Sequence, residues 1–66
     1  MSMLSDRLKE ERKKAGLTQE EVAKHLGITR PAYTQYETGK TQPSLETAGK
    51  LANLYKISVD YLIGRY

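Results

Sequence analysis

Gly16, Gly27, Gly39 and Gly64 each follow a short stretch with helical patterning. Glycine just past a helix takes the left-handed cap conformation at little cost, so each reads as a stop. Start signals stand opposite these stops. Thr18 opens Thr18-Gln19-Glu20-Glu21, a capping box. Thr29, Ser44 and Ser58 are N-cap types standing before apolar-periodic runs. Pro31 falls in a first turn, where a missing N–H costs little. The punctuation predicts helices at about Met3 to Ala15, Thr18 to Leu26, Thr29 to Thr38, Ser44 to Tyr55 and Ser58 to Ile63. No alternating apolar run and no Asn-Gly or Asp-Gly turn suggests a strand, so the expected fold class is all-α, with short connections.

The 66 residues make one small domain, expected to span 1–66, and the hydrophobic fraction of 38% suffices for a single core. With no cysteine and one histidine, neither a disulfide nor a thiolate- or histidine-based metal site can form within one chain. No metal, cofactor or small-molecule ligand is therefore expected. The longest apolar run, Tyr61-Leu62-Ile63, is far short of the roughly 20 residues of a membrane span. No N-terminal stretch resembles a signal peptide, so a cytoplasmic location is the expectation. Eleven Lys+Arg against eight Asp+Glu give a net charge of +3, which makes a polyanion partner plausible without requiring one.

Helical spacing assigns core faces: Leu4, Leu8 and Ala15 in the first segment, Val22, Ala23 and Leu26 in the second, and Leu45, Ala48, Leu51, Ala52 and Tyr55 in the fourth. Gly49 interrupts the fourth, implying either a close approach or an under-packed position. Two short helices joined by Leu26-Gly27-Ile28-Thr29 carry the signature of a helix-turn-helix, although a generic helical hairpin reads similarly. The third segment is two-sided. Ala32, Tyr33 and Tyr36 fall on one face. Arg30, Pro31, Thr34 and Gln35 fall on the other, which carries no carboxylate and suits the base edges of a major groove. Arg12 lies at the edge of the first segment's apolar face and Glu37 on the shoulder of the third. Each is a misfit alone and the other's natural partner.

Thr18-Gln19-Glu20-Glu21-Val22-Ala23, Gly27-Ile28-Thr29, Tyr36-Glu37-Thr38-Gly39-Lys40, Gln42-Pro43-Ser44-Leu45-Glu46-Thr47, Leu51-Ala52 and Ile57-Ser58-Val59-Asp60-Tyr61-Leu62 closely resemble the lambda-type repressor and Cro helix-turn-helix family, the Xre family, over about Leu8 to Gly64. The resemblance implies a five-helix domain that binds double-stranded DNA, regulates transcription and is usually a dimer, with the third helix in the groove. It implies base contacts from Arg30, Pro31, Thr34 and Gln35, and phosphate contacts from Gln19, Thr29, Lys40 and Thr41. It also implies an ion pair between Arg12 and Glu37. Tyr33 departs from the family, which more often has Ile or Val there, so its hydroxyl must reach an edge or a partner. Ala48 and Gly49 are smaller than the usual aliphatic pair.

One domain reads few base pairs, so a homodimer on a (pseudo)palindromic operator is expected, with Tyr61, Ile63 and Tyr66 as interface candidates. A repressor is the first reading. The alternative is an antitoxin-type interaction module with autoregulatory DNA binding, which usually extends the domain to hold its toxin. An enzyme is not expected: there is no phosphate-binding glycine loop, and the carboxylates fall on helix surfaces.

Overall fold

Hydroxyl side chains open four of the helices. Thr18, Thr29, Ser44 and Ser58 each have extended backbone and accept a hydrogen bond from the amide three residues on. The computed structural model describes residues 3–64. The elements are α1 (Met3–Lys14), α2 (Gln19–Leu26), α3 (Arg30–Thr38), α4 (Leu45–Tyr55) and α5 (Val59–Ile63). No strand occurs among the described residues, and the fold is an all-α five-helix bundle. For these last four helices the expected start was the cap itself; the helix proper begins one residue later, because the cap keeps extended backbone. The capping box closes in both directions: Thr18 Oγ1 accepts from the Glu21 amide at 3.1 Å, and Glu21 Oε1 accepts from the Thr18 amide at 2.8 Å.

Gly27, Gly39 and Gly64 end their helices at φ of 75°, 80° and 75°. The fourth stop has no glycine, and Lys56 takes the left-handed conformation instead, at φ 58°.

α3 packs on α1 and α2, and α5 bridges α1 and α4. The core they enclose is Leu8, Val22, Ala23, Leu26, Tyr33, Leu51, Ala52, Tyr55 and Leu62, all buried. Of the other expected core residues, Leu4 packs against this cluster, Ala48 is buried outside it, and Leu45 and Ala15 are exposed. Leu45 is 77% exposed. A helical side chain covers the turn before its own Cα, and the first residue of α4 has no such turn beneath it. Ala15 is exposed because α1 has already ended, at Lys14. On α1 the buried positions after Leu4 are Ser5, Leu8 and Glu11, and the Glu11 carboxylate pairs with Lys14 at 3.5 Å. At Gly49 nothing lies within 4 Å of where a Cβ would stand, so no close approach explains it.

Candidate nucleic-acid interface

The turn between α2 and α3 is set by local chemistry. Gly27 donates back to the last carbonyls of α2, and the Ile28 amide reaches the Ala23 carbonyl at 3.0 Å. Ile28 then packs on the core, and Thr29 caps α3. Two helices are thereby held in a fixed relation by contacts that are local in the sequence.

The inner side of α3 is anchored by charge. Arg12 Nε donates to Glu37 Oε2 at 2.7 Å and Arg12 Nη2 to Oε1 at 3.3 Å, a two-pronged pair. Arg12 Nη1 goes to the Leu17 carbonyl at 2.9 Å. Tyr33 Oη donates to Glu37 Oε2 at 2.6 Å, and Gln19 Nε2 to Oε1 at 3.1 Å. The Tyr33 and Tyr55 hydroxyls lie 3.3 Å apart. One carboxylate, 4% exposed, thus ties α1, α2 and α3 together, and the tyrosine pair extends the tie to α4. Burial alone would push the Glu37 carboxyl up. The hydrogen bonds from Arg12, Tyr33 and Gln19 outweigh it and hold the group below the usual carboxylate range. Burial, then the bond to Glu37, raises the Tyr33 hydroxyl far above its ordinary value. The hydroxyl that sequence reasoning required to find a partner thus has two.

The outer side is solvent-facing. Arg30 and Pro31 are exposed, Thr34 and Gln35 half-buried, and Thr29, Lys40 and Thr41 exposed. Gln19 is half-buried at the start of α2. Thr34 Oγ1 sits 2.8 Å from Gln19 Oε1 and 2.9 Å from the Arg30 carbonyl. The Lys40 and Thr41 amides both go to the Gln35 carbonyl, at 3.0 and 3.3 Å. What those two residues can still offer a ligand is their side chains.

Three features escaped sequence reasoning. Glu20 Oε1 lies 3.8 Å from Arg30 Nε, both groups exposed, so a carboxylate borders the face that α3 itself keeps free of them. Glu11 is buried, and its helical spacing from Leu4 and Leu8 was the signal. Tyr55 belongs to the polar network, for which no local signal exists. Of the proposed interface residues, Tyr61 and Ile63 are half-buried. Arg7 covers the Tyr61 ring at 4.2 Å from its centroid and donates to the Tyr61 carbonyl. Tyr66 lies outside the described residues.

No helix among the described residues is long and apolar enough to cross a membrane. The helix-turn-helix family profile matches residues 8–62. The HTH-type transcriptional regulator YqaE of Bacillus subtilis is 48% identical over 61 residues, which cover 92% of this chain and 53% of that protein. ImmR, another such regulator of Bacillus subtilis, is 47% identical over 62 residues, covering 94% and 49%. The chain therefore spans about half the length of these relatives. Among solved structures, the P22 c2 repressor in complex with a synthetic operator superposes with a TM-score of 0.87 at 28% identity, covering 96% of each chain. The matched profile, the order of the motifs and the shared architecture agree, and the chain belongs to the helix-turn-helix family of lambda-type repressors and Cro.

Proposed function

We propose that residues 1–66 form a sequence-specific DNA-binding domain that regulates transcription as a repressor, laying α3 in the major groove of a (pseudo)palindromic operator. The observation that carries this reading is the division of α3. Its inner side is anchored to α1 and α2 through Glu37, while Arg30, Pro31 and Gln35 project from the other side. Arg30 and Gln35 offer the paired donors and acceptors that match guanine and adenine edges. Pro31 and the Thr34 methyl suit thymine methyl groups. Gln19, Thr29, Lys40 and Thr41 surround this face as phosphate contacts that set register. Relatives bearing regulator names and a repressor solved with its operator support the same reading. They lend no support to the antitoxin alternative.

The chain acts as a homodimer in the cytoplasm, with recognition helices about 34 Å apart, one DNA turn. Ile63 is the better interface candidate of the two described residues, because Arg7 already covers one face of Tyr61. The role is binding, not catalysis: both oxygens of the most buried carboxylate, Glu37, are tied to protein donors. Selection from a random DNA pool should return a half-site repeated with two-fold symmetry. Enrichment of no sequence, or sedimentation as a monomer both free and on the selected site, would overturn the reading.

A further inference from the structure

We propose that Thr34 is a positioning residue: its hydroxyl and the Glu37 carboxylate together fix the Gln19 amide so that one N–H remains for an oxygen of the DNA backbone. This rests on the DNA-binding reading above and says how one of its contacts is built.

A glutamine amide has two ends of similar shape and opposite hydrogen-bonding character. Here each end meets a partner that sets its identity. Glu37 Oε1 can only accept, and it lies 3.1 Å from Gln19 Nε2. Turning the amide over would press its oxygen against the carboxylate. That carboxylate cannot give way, since Arg12 and Tyr33 hold it. Thr34 Oγ1, 2.8 Å from Gln19 Oε1, supplies the donor at the other end. Of the two hydrogens on Gln19 Nε2, one is spent on Glu37. The group left over is a donor, at the first residue of α2, where the free backbone amides of a helix start already favour an anionic oxygen.

The same count limits Thr34. Its single hydroxyl hydrogen has two acceptors within the protein, Gln19 Oε1 and the Arg30 carbonyl at 2.9 Å. Neither arrangement leaves a hydrogen for a base edge. Donating to Gln19, at the shorter of the two distances, the hydroxyl acts through that amide. It also couples a clamp on α2 to the helix that reads, so the spacing between backbone contact and base contact is held by a side chain on α3.

Two substitutions separate the hydroxyl from the methyl. Thr34→Val keeps the shape and removes the hydroxyl; Thr34→Ser keeps the hydroxyl and removes the methyl. Binding of the full chain to the selected site and all its single-base variants is measured at several salt concentrations, with thermal melts alongside. Thr34→Val should weaken every sequence by about three- to tenfold, the worth of one hydrogen bond. The base profile should keep its shape. The salt slope should also stay unchanged, because a neutral amide on a phosphate releases no counterion. Thr34→Ser should stay within about twofold of the parent, the hydrogen bond being kept. Thr34→Val added to Gln19→Ala should cost nothing further. An unchanged affinity in Thr34→Val, a base profile altered at one position by Thr34→Val, or additive losses in the double variant would overturn the proposal. If the parent chain binds no DNA, the functional reading fails first, and this inference goes with it.

Discussion

The two sides of α3 solve opposite problems with the same kinds of side chain. Inside, Arg12, Gln19 and Tyr33 converge on the Glu37 carboxylate, at distances of 2.6–3.3 Å. Outside, Arg30 and Gln35 project with most of their hydrogen-bonding capacity unspent, the Arg30 side chain meeting, among the described residues, only the distant carboxylate of Glu20. An arginine and a glutamine occur on both sides, so residue type does not decide the role. The partner does. A charge held by a buried carboxylate is structure, and the same charge beside water is available to a ligand. Damage to the inner side should appear first as lost stability. Damage to the outer side should appear as lost binding by a protein that melts normally.

The largest expected effect is on the inner side. Glu37→Ala leaves the Arg12 guanidinium half-buried without its carboxylate and should cost about 3–5 kcal/mol. That is comparable with the whole stability of a domain this small. Urea denaturation monitored by helix content measures it, and a loss below about 1 kcal/mol would place the pair among ordinary surface contacts. Acid should show the same dependence. The folded carboxyl titrates below the usual range, so the unfolded chain binds a proton that the folded chain does not. The pair's contribution is complete above the unfolded value of about 4.3 and fades as pH falls from there through the lower folded value. Glu37→Gln should lack this part of the acid dependence.

Tyr33→Phe ranks next. It removes the 2.6 Å bond to Glu37 and the contact with the Tyr55 hydroxyl while keeping the ring. A loss of about 1.5–3 kcal/mol is expected, the range for a hydrogen bond to a charged group. An unchanged melting temperature would mean that Arg12 and Gln19 alone satisfy the carboxylate.

On the outer side, Arg30→Ala should leave the melting temperature where it is and cost about 1–3 kcal/mol of binding, relaxing preference at one position of each half-site. A profile that keeps its shape would move Arg30 to the backbone class and leave Gln35 as the main reader. Lys40→Ala should instead lower binding to all sequences and flatten the salt slope by about one unit.

The smallest effect belongs to neither side and calibrates both. Gly49→Ala adds a methyl into open space within α4 and should stabilise by about 1 kcal/mol. Binding per folded molecule should not change. A loss of dimer affinity in this variant would show that the small residue serves an interface.

The parts legible in the sequence were those decided within a few residues. Thr18, Thr29, Ser44 and Ser58 cap helices because a hydroxyl reaches an amide three positions on, whatever the rest of the chain does. The Arg12–Glu37 pair left a trace as two charges at the margins of apolar faces. Tyr55 left none: its hydroxyl matters because α4 packs where Tyr33 ends, and spacing within α4 cannot say so. Leu45 was misassigned because periodicity describes a helix without ends. Glu11 was missed because a carboxylate amid apolar spacing reads as an interruption. In the candidate site the exposed cations were legible by type. Thr34 was read as a base contact, and its bond to Gln19 depends on how close α2 and α3 lie.

The open position at Gly49 has a practical consequence. The chain contains no cysteine, so a cysteine placed there would be its single thiol, on a partly exposed helix surface with room for a label. A spin label at that site would give one intermolecular distance in an assembled pair and none in a lone chain. That distance would report how two copies are arranged, on DNA or free of it, without altering the anchored side of α3 or the side turned to solvent.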